Sequence, residues 1–261
     1  MELLQNTLVI NLETRQDRLQ HVMAELQKIG VHGQRYNANK TVNGSIGCTI
    51  SHIKCLEIAK ANDWKHVFIC EDDITFLEPG VFMKNLSKFY QADYDWDVVI
   101  VGGNNALPYR KASDFCIQVH NCQTTTGYIV QNHYYDVLIQ NFKESLRNLL
   151  KSPHKKNEYA IDIYWKQLQN RDRWYMIIPP TVIQCAGYSD IEQRVVNYEN
   201  LMTDLDKEWL FQYQRQQMIQ QQQQQEQMKM QHIQQQKPSK YKNAQTEPKV
   251  SINPMVFSLT K

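Results

Sequence analysis

Residues 67–73 read VFICEDD, four apolar residues running straight into three consecutive carboxylates. Like charges this close raise one another's pKa values unless a cation or hydrogen-bond donors offset the repulsion. If the chain stays extended through the acidic residues, Glu71 and Asp73 share one side and Asp72 takes the other. Two carboxylates on one side of a strand end form a hard oxygen site, suited to Mg2+ or Mn2+ and a poor match for zinc alone. A divalent ion there would bridge the protein to a diphosphate and neutralise charge as a leaving group departs. The competing reading is a solvated acidic turn in which Asp72 or Asp73 caps the next segment.

Two other sets of residues could add to such a site. In NLETRQDR, Arg15 and Arg18 follow an apolar run, where guanidinium groups could hold a phosphate or a base. The alternative pairs them with Glu13 and Asp17 as helix-start charges. His52, in GCTISH, sits three residues after Thr49 on an expected helix. A lone helical histidine is more often a structural hydrogen-bonder than a catalyst.

These residues need elements to position them. The run 7–12 (TLVINL) reads as a buried first strand, and Leu19, Val22, Met23, Leu26 and Ile29 mark a helix that Gly30 stops. Residues 33–38 fit a second strand and 43–47 a Gly/Asn/Ser loop. Ile50, Ile53, Leu56 and Ala59 make a helical face, 67–70 is a buried strand, and Pro79 opens a helix carrying Phe82, Met83, Leu86 and Phe89. Further strands are expected at 96–103, 115–119, 127–130 and 174–178, with a helix over 133–150 and a mobile basic loop over 150–159. Strands alternating with helices predict an α/β domain whose mixed sheet is mainly parallel and flanked by helices. Ligands of such sheets gather at the carboxyl ends of the strands, where both the arginines and the acidic run fall.

Composition narrows the classes. The 261 residues carry a net charge of +2 from 29 basic and 27 acidic side chains, and no basic run is present, so nucleic acid is not an expected partner. Six cysteines without a CxxC pair read as buried free thiols of a reducing compartment. No signal peptide is evident and no apolar run reaches the ~20 residues that span a bilayer, so a cytoplasmic protein is expected. The composition leaves a homo-oligomer open. Residues 1–200 are expected to form the domain, 201–236 a helical glutamine-rich extension starting near Thr203, and 237–261 a disordered tail.

In order, INLETRQDR, GCTISH, VFICEDD, WDVVIVGG, TGYIV and PPTVIQCAGYSDI resemble glycosyltransferase family 25 over about residues 7–191. That family includes bacterial lipooligosaccharide galactosyltransferases and procollagen galactosyltransferases, and it occurs in giant viruses; a single domain looks more like the bacterial or viral members. The resemblance implies a GT-A type nucleotide-sugar fold, a UDP-sugar donor and a divalent metal, Mn2+ before Mg2+. It implies Glu71 and Asp73 as metal ligands of a DxD-like motif. Asn11, Leu12, Arg15, Arg18, Ser51, Asp72, Gln184 and Ser189 become the candidate nucleotide-sugar contacts. An inverting transfer to a hydroxyl of a glycan or a hydroxylysine-type protein acceptor needs a general base. Asp162 is the first candidate, Asp190 the second and His52 the third; such chemistry serves glycan biosynthesis, lipopolysaccharide assembly included. Two alternatives stay open: a catalytically degenerate fold acting as a binding module, and a sugar nucleotidylyltransferase, whose Gly-rich nucleotide loop is missing from NLETRQDR.

Overall fold

The computed structural model describes residues 1–189 and 191–235, with side chains through 231. The chain divides into two compact units after Lys207. The first unit opens with strand β1 (Thr7–Asn11), helix α1 (Gln16–Lys28), β2 (Gln34–Asn37), α2 (Gly44–Ala61), β3 (His66–Glu71) and β4 (Ile74–Phe76). Then come α3 (Pro79–Gln91), β5 (Val98–Asn105), β6 (Tyr109–Lys111), β7 (Cys116–Val119), β8 (Cys122–Gln131) and α4 (Tyr135–Lys151). Three short turns of helix, α5 (Lys156–Tyr159), α6 (Ile161–Tyr164) and α7 (Lys166–Gln169), lead to β9 (Trp174–Ile177). The unit closes with β10 (Val182–Gln184), β11 (Gly187–Ser189), β12 (Arg194–Val196) and α8 (Glu199–Thr203).

Eight strands form one sheet in the order β2-β1-β3-β8-β5-β9-β7-β6. The pairs β1–β2, β1–β3 and β5–β9 are parallel, whereas β8 runs antiparallel to both its neighbours and β7 to both of its own. The expected mixed α/β sheet is therefore present, with two strands reversed within a common direction.

Strand alternation sorts the core onto two faces. Leu8, Ile10, Val67, Ile69, Val98, Ile100, Tyr128 and Val130 pack with Ile53 and Leu56 of α2 and Leu138 and Phe142 of α4. Val9, Phe68, Cys70, Val99, Val101 and Ile129 pack with Val22 and Leu26 of α1 and Phe82, Leu86 and Phe89 of α3. Both faces are covered, which is why the central strands read as unbroken apolar runs. All six cysteines are free, and Cys55, Cys70, Cys116 and Cys122 are buried.

Three local expectations change. The segment 43–47 is not a loop: Asn43 caps α2, its side chain accepting from the Ser45 and Ile46 amides, so the helix begins at Gly44. The basic segment 150–159 is not a loop throughout, because α5 occupies Lys156–Tyr159 and the Lys156 ammonium pairs with Glu192 at 2.9 Å. The glutamine-rich helix α9 (Glu208–Gln235) of the second unit starts later than Thr203. Its described side chains from Phe211 onward are exposed, with no stripe to pack. The expected tail 237–261 lies outside the described residues. No helix among the described residues is long and apolar enough to cross a membrane.

Gly47 lets α2 approach the segment after β2, since a Cβ there would lie 2.3 Å from the Asn39 carbonyl oxygen. Gly47→Ala is expected to destabilise the protein by about 1–3 kcal/mol, as overpacking does. A urea midpoint unchanged from wild type would contradict this close approach.

Candidate functional site

β1 and β3 are parallel neighbours with Ile10 opposite Glu71, so their carboxyl ends place Asn11 beside the acidic run. The alternation that puts Val67 and Ile69 on the α2 face carries Glu71 there too. Its Oε1 accepts from Thr125 Oγ1 at 2.5 Å and from His52 Nε2 at 3.2 Å, with Cys48 Sγ at 3.9 Å. None of these bonds reaches Oε2. Burial would raise the Glu71 carboxyl, but the His52 and Thr125 bonds hold it below the ordinary glutamate value.

The alternation goes no further. β3 ends at Glu71, and Asp72 and Asp73 lie in a turn toward α1, so the expected split of Glu71 and Asp73 from Asp72 does not occur. Arg18 Nη1 donates to both, to Asp72 Oδ1 at 3.0 Å and Asp73 Oδ2 at 3.2 Å, while its Nη2 donates to the Tyr188 carbonyl at 2.8 Å. Asp72 Oδ2 takes a 2.7 Å bond from Asn11 Nδ2, which fills both of its oxygens. Asp73 Oδ2 also accepts from Gln184 Nε2 at 2.7 Å, but Asp73 Oδ1 is buried without a hydrogen-bond partner among the described residues. Burial and then the Glu71 charge push the Asp73 carboxyl up to about 7, against the pull of Arg18 and Gln184.

Several expected contacts also carry hydrogen bonds within the fold. Asn11 is buried and fully bonded, its Nδ2 also reaching the Arg15 carbonyl and its Oδ1 accepting from Arg35 Nε at 3.0 Å. Ser51 Oγ accepts from the Asn39 amide at 2.9 Å and donates to the Gly47 carbonyl at 2.8 Å, inside the fold. Arg18 is bonded to the acidic turn. His52 is wholly buried, with Nδ1 on the Tyr128 hydroxyl at 2.8 Å and Nε2 on Glu71, so both ring nitrogens are engaged within the protein. Asp190 lies outside the described residues.

Two cavities meet here. One of 280 Å3 is lined by Leu12, Arg15, Asn39, Val42, Asp73 and others, and a second of 360 Å3 by Thr124, Lys156, Asn157, Asp162 and Tyr198 among others. Cys48, Glu71, Gln184, Ser189 and Ile191 line both. Asp162 Oδ2 accepts from the Thr124 amide at 3.1 Å, and burial raises its carboxyl above the ordinary aspartate value. Thr124 holds φ 69°, a left-handed conformation that a β-branched residue rarely adopts, which is backbone strain placed beside a candidate base.

The donor set fits a hard divalent cation. Glu71 and Asp73 both line the first cavity, and among the described residues no donor reaches Glu71 Oε2 or Asp73 Oδ1, whereas both oxygens of Asp72 are bonded. Sequence reasoning missed Thr125 and Tyr128, which position Glu71 directly and through His52. The one signal for them was the TGYIV strand itself, since pairing with β3 sets Tyr128 opposite Ile69.

The folded protein keeps the Asp73 proton to about pH 7, while an unfolded aspartate loses it near 4, so stability falls as pH rises through that window. Asp73→Asn is expected to flatten that fall and raise Tm in metal-free buffer at pH 8, at roughly 2–4 °C per kcal/mol relieved. Calorimetric scans from pH 5 to about pH 8 check this. An equally steep fall in the variant would show that Asp73 is not the group responsible.

Residues 33–188, more than half of the chain, match glycosyltransferase family 25 (LPS biosynthesis protein). No curated protein matches the chain in sequence. Solved structures share its fold only loosely. A glycosyltransferase involved in glycosylation of the major capsid of PBCV-1 is 10% identical, with TM-score 0.45, 72% of this chain and 95% of that one covered. A UDP-glucose pyrophosphorylase with UDP-glucose bound is 10% identical, with TM-score 0.44 and coverage of 67% and 90%. A Drosophila β-1,4-galactosyltransferase 7 variant with manganese, UDP-Gal and xylobiose is 10% identical, with TM-score 0.34 and coverage of 78% and 75%. The family match spans the β3 acidic run, the α2 histidine and the strands that hold them, and on that ground the chain belongs to glycosyltransferase family 25.

Proposed function

We propose that the chain is a metal-dependent, inverting transferase of GT-A type that moves a hexose from a UDP-sugar to a hydroxyl of a glycan or hydroxylysine-type protein. The observation that carries this reading is the meeting of two cavities at Glu71, with Asp73, whose Oδ1 has no partner among the described residues, beside one and Asp162 beside the other. The first cavity takes the donor, with Arg15, Leu12, Gln184 and Ser189 at the nucleotide and its diphosphate. A divalent ion, Mn2+ before Mg2+, supplies charge neutralisation at the departing diphosphate when held by Glu71 and Asp73. Asn11, Arg18 and Asp72 keep the acidic turn in place, and Ser51 fixes the wall at Asn39.

The acceptor hydroxyl enters from the second cavity. Asp162 takes its proton while the acceptor oxygen bonds to the anomeric carbon and the bond from that carbon to the diphosphate oxygen breaks. UDP leaves with that electron pair. A carboxyl raised by burial holds the abstracted proton better than an exposed aspartate would, and the strained Thr124 amide fixes its other oxygen.

Incubation of the full chain with Mn2+ and a panel of UDP-sugars is expected to release UDP from at least one hexose donor. No turnover with any donor, together with no thermal shift from UDP plus Mn2+, would overturn the reading. Asp162→Asn is expected to lower kcat by about 10²–10⁴-fold with little change in donor KM. In the wild type, kcat/KM should rise with pH through a midpoint above the ordinary aspartate value. A variant with wild-type kcat would remove Asp162 from the reaction.

A further inference from the structure

Cys48 and His52 stand one helical turn apart on α2, four residues that place both side chains on one face. That face meets Glu71 at the end of β3. One ligand atom from each of Cys48, His52 and Glu71 lies within 4.8 Å of the others. Two of the separations are tighter, His52 Nε2 to Glu71 Oε1 at 3.2 Å and Cys48 Sγ to Glu71 Oε1 at 3.9 Å. Tetrahedral zinc, with bonds of about 2.0–2.1 Å to nitrogen and oxygen and about 2.3 Å to sulfur, has ligand edges of roughly 3.3–3.7 Å.

We propose that Cys48, His52 and Glu71 form a second cation site, selective for zinc and other ions that accept sulfur. Thiolate, imidazole and carboxylate are the borderline donor set that favours such ions over Mg2+ or Mn2+. The outer groups are in place as well. The Tyr128 hydroxyl sits 2.8 Å from His52 Nδ1 and orients the ring, and Thr125 hydrogen-bonds the ligating carboxylate. Cys48 and Glu71 line both cavities, so the fourth position opens to solvent and to small ligands. On binding, the Cys48 thiol proton passes to solvent and the thiolate becomes a ligand, while the imidazole proton moves from Nε2 to Nδ1, where it is donated to the Tyr128 hydroxyl and leaves Nε2 free to coordinate. Occupation would also draw Glu71 away from Asp73, so zinc would inhibit transfer instead of supporting it. That consequence rests on the function proposed above; the binding itself does not.

Titration of the metal-free full chain with Co2+ tests the site without reference to activity. A thiolate-to-cobalt charge-transfer band in the near ultraviolet and intense visible bands of a tetrahedral ion are expected. Zn2+ should abolish them and Mn2+ should not. Cys48→Ser should lose the charge-transfer band, while Cys185→Ser, which alters the other half-buried thiol, and Asp73→Asn should keep it. Tyr128→Phe should weaken Zn2+ by about 10–100-fold, as loss of an outer-shell partner does. In the wild type, Zn2+ should protect Cys48 from alkylation, read by mass spectrometry, whether or not any variant folds. Absence of the band, its survival in Cys48→Ser, or equal Cys48 labelling with and without Zn2+ would overturn the site. A chain that turns over no UDP-sugar would still show the band, so the two readings fail separately.

Discussion

Burial of Asp72 and Asp73, with Glu71 half-buried beside them at the end of β3, is the constraint around which the surrounding elements are arranged. A buried carboxylate left without partners costs several kcal/mol, and each charged hydrogen bond returns about 1.5–3. Glu71 is met by α2 and β8, Asp72 by β1 and α1, and Asp73 by α1 and β10. One guanidinium, Arg18, serves the last two. The compensation is complete for Asp72, strong for Glu71 and incomplete for Asp73, whose carboxyl rises to about 7 with one oxygen unpaired. The residual falls at Asp73, a residue that lines the first cavity. A cation there would relieve repulsion that the protein's own donors leave.

The same logic explains why the neighbouring positions are what they are. Replacing His52 would release Glu71, because its ring joins Tyr128 on one strand to the carboxylate on the next. Gly102 and Gly103 accompany the register shifts where β5 meets β8, and a Cβ on Gly103 would come within 2.6 Å of Cys122 Sγ. That irregularity ends just across from Thr124, whose amide holds Asp162. Strain and bulge sit in the strand pair that supports the second cavity, which is where proteins commonly store both.

The framework is legible in the sequence because its signals are local. β1, β3 and β5 are unbroken apolar runs covered on both faces, and α1 and α3 show one apolar stripe each. The start of α2 is not, because Asn43 followed by glycine and serine reads as a loop until the side chain is seen capping the helix. The turns α5 to α7 are too short to carry a period. At the site, the acidic run and Asp162 stand out by residue type, but their partners do not. Arg18 is 54 residues from Asp72, and nothing along the chain says that it neutralises the carboxylates instead of waiting for a phosphate. The alternation rule failed at Asp72 because the strand stops one residue earlier. Tyr128 and Thr125 become functional supports only through the pairing of β3 with β8.

The central claim is that Asp73 keeps a free oxygen for a cation that in turn holds a nucleoside diphosphate. Calorimetric titration of the full chain with UDP, with and without Mn2+, in the wild type and in Asp73→Ala, addresses it most directly. Binding that depends on Mn2+ in the wild type and is lost in the variant is the expected result. Undiminished Mn2+-dependent binding in Asp73→Ala would contradict the claim and leave the acidic run a structural feature of the turn.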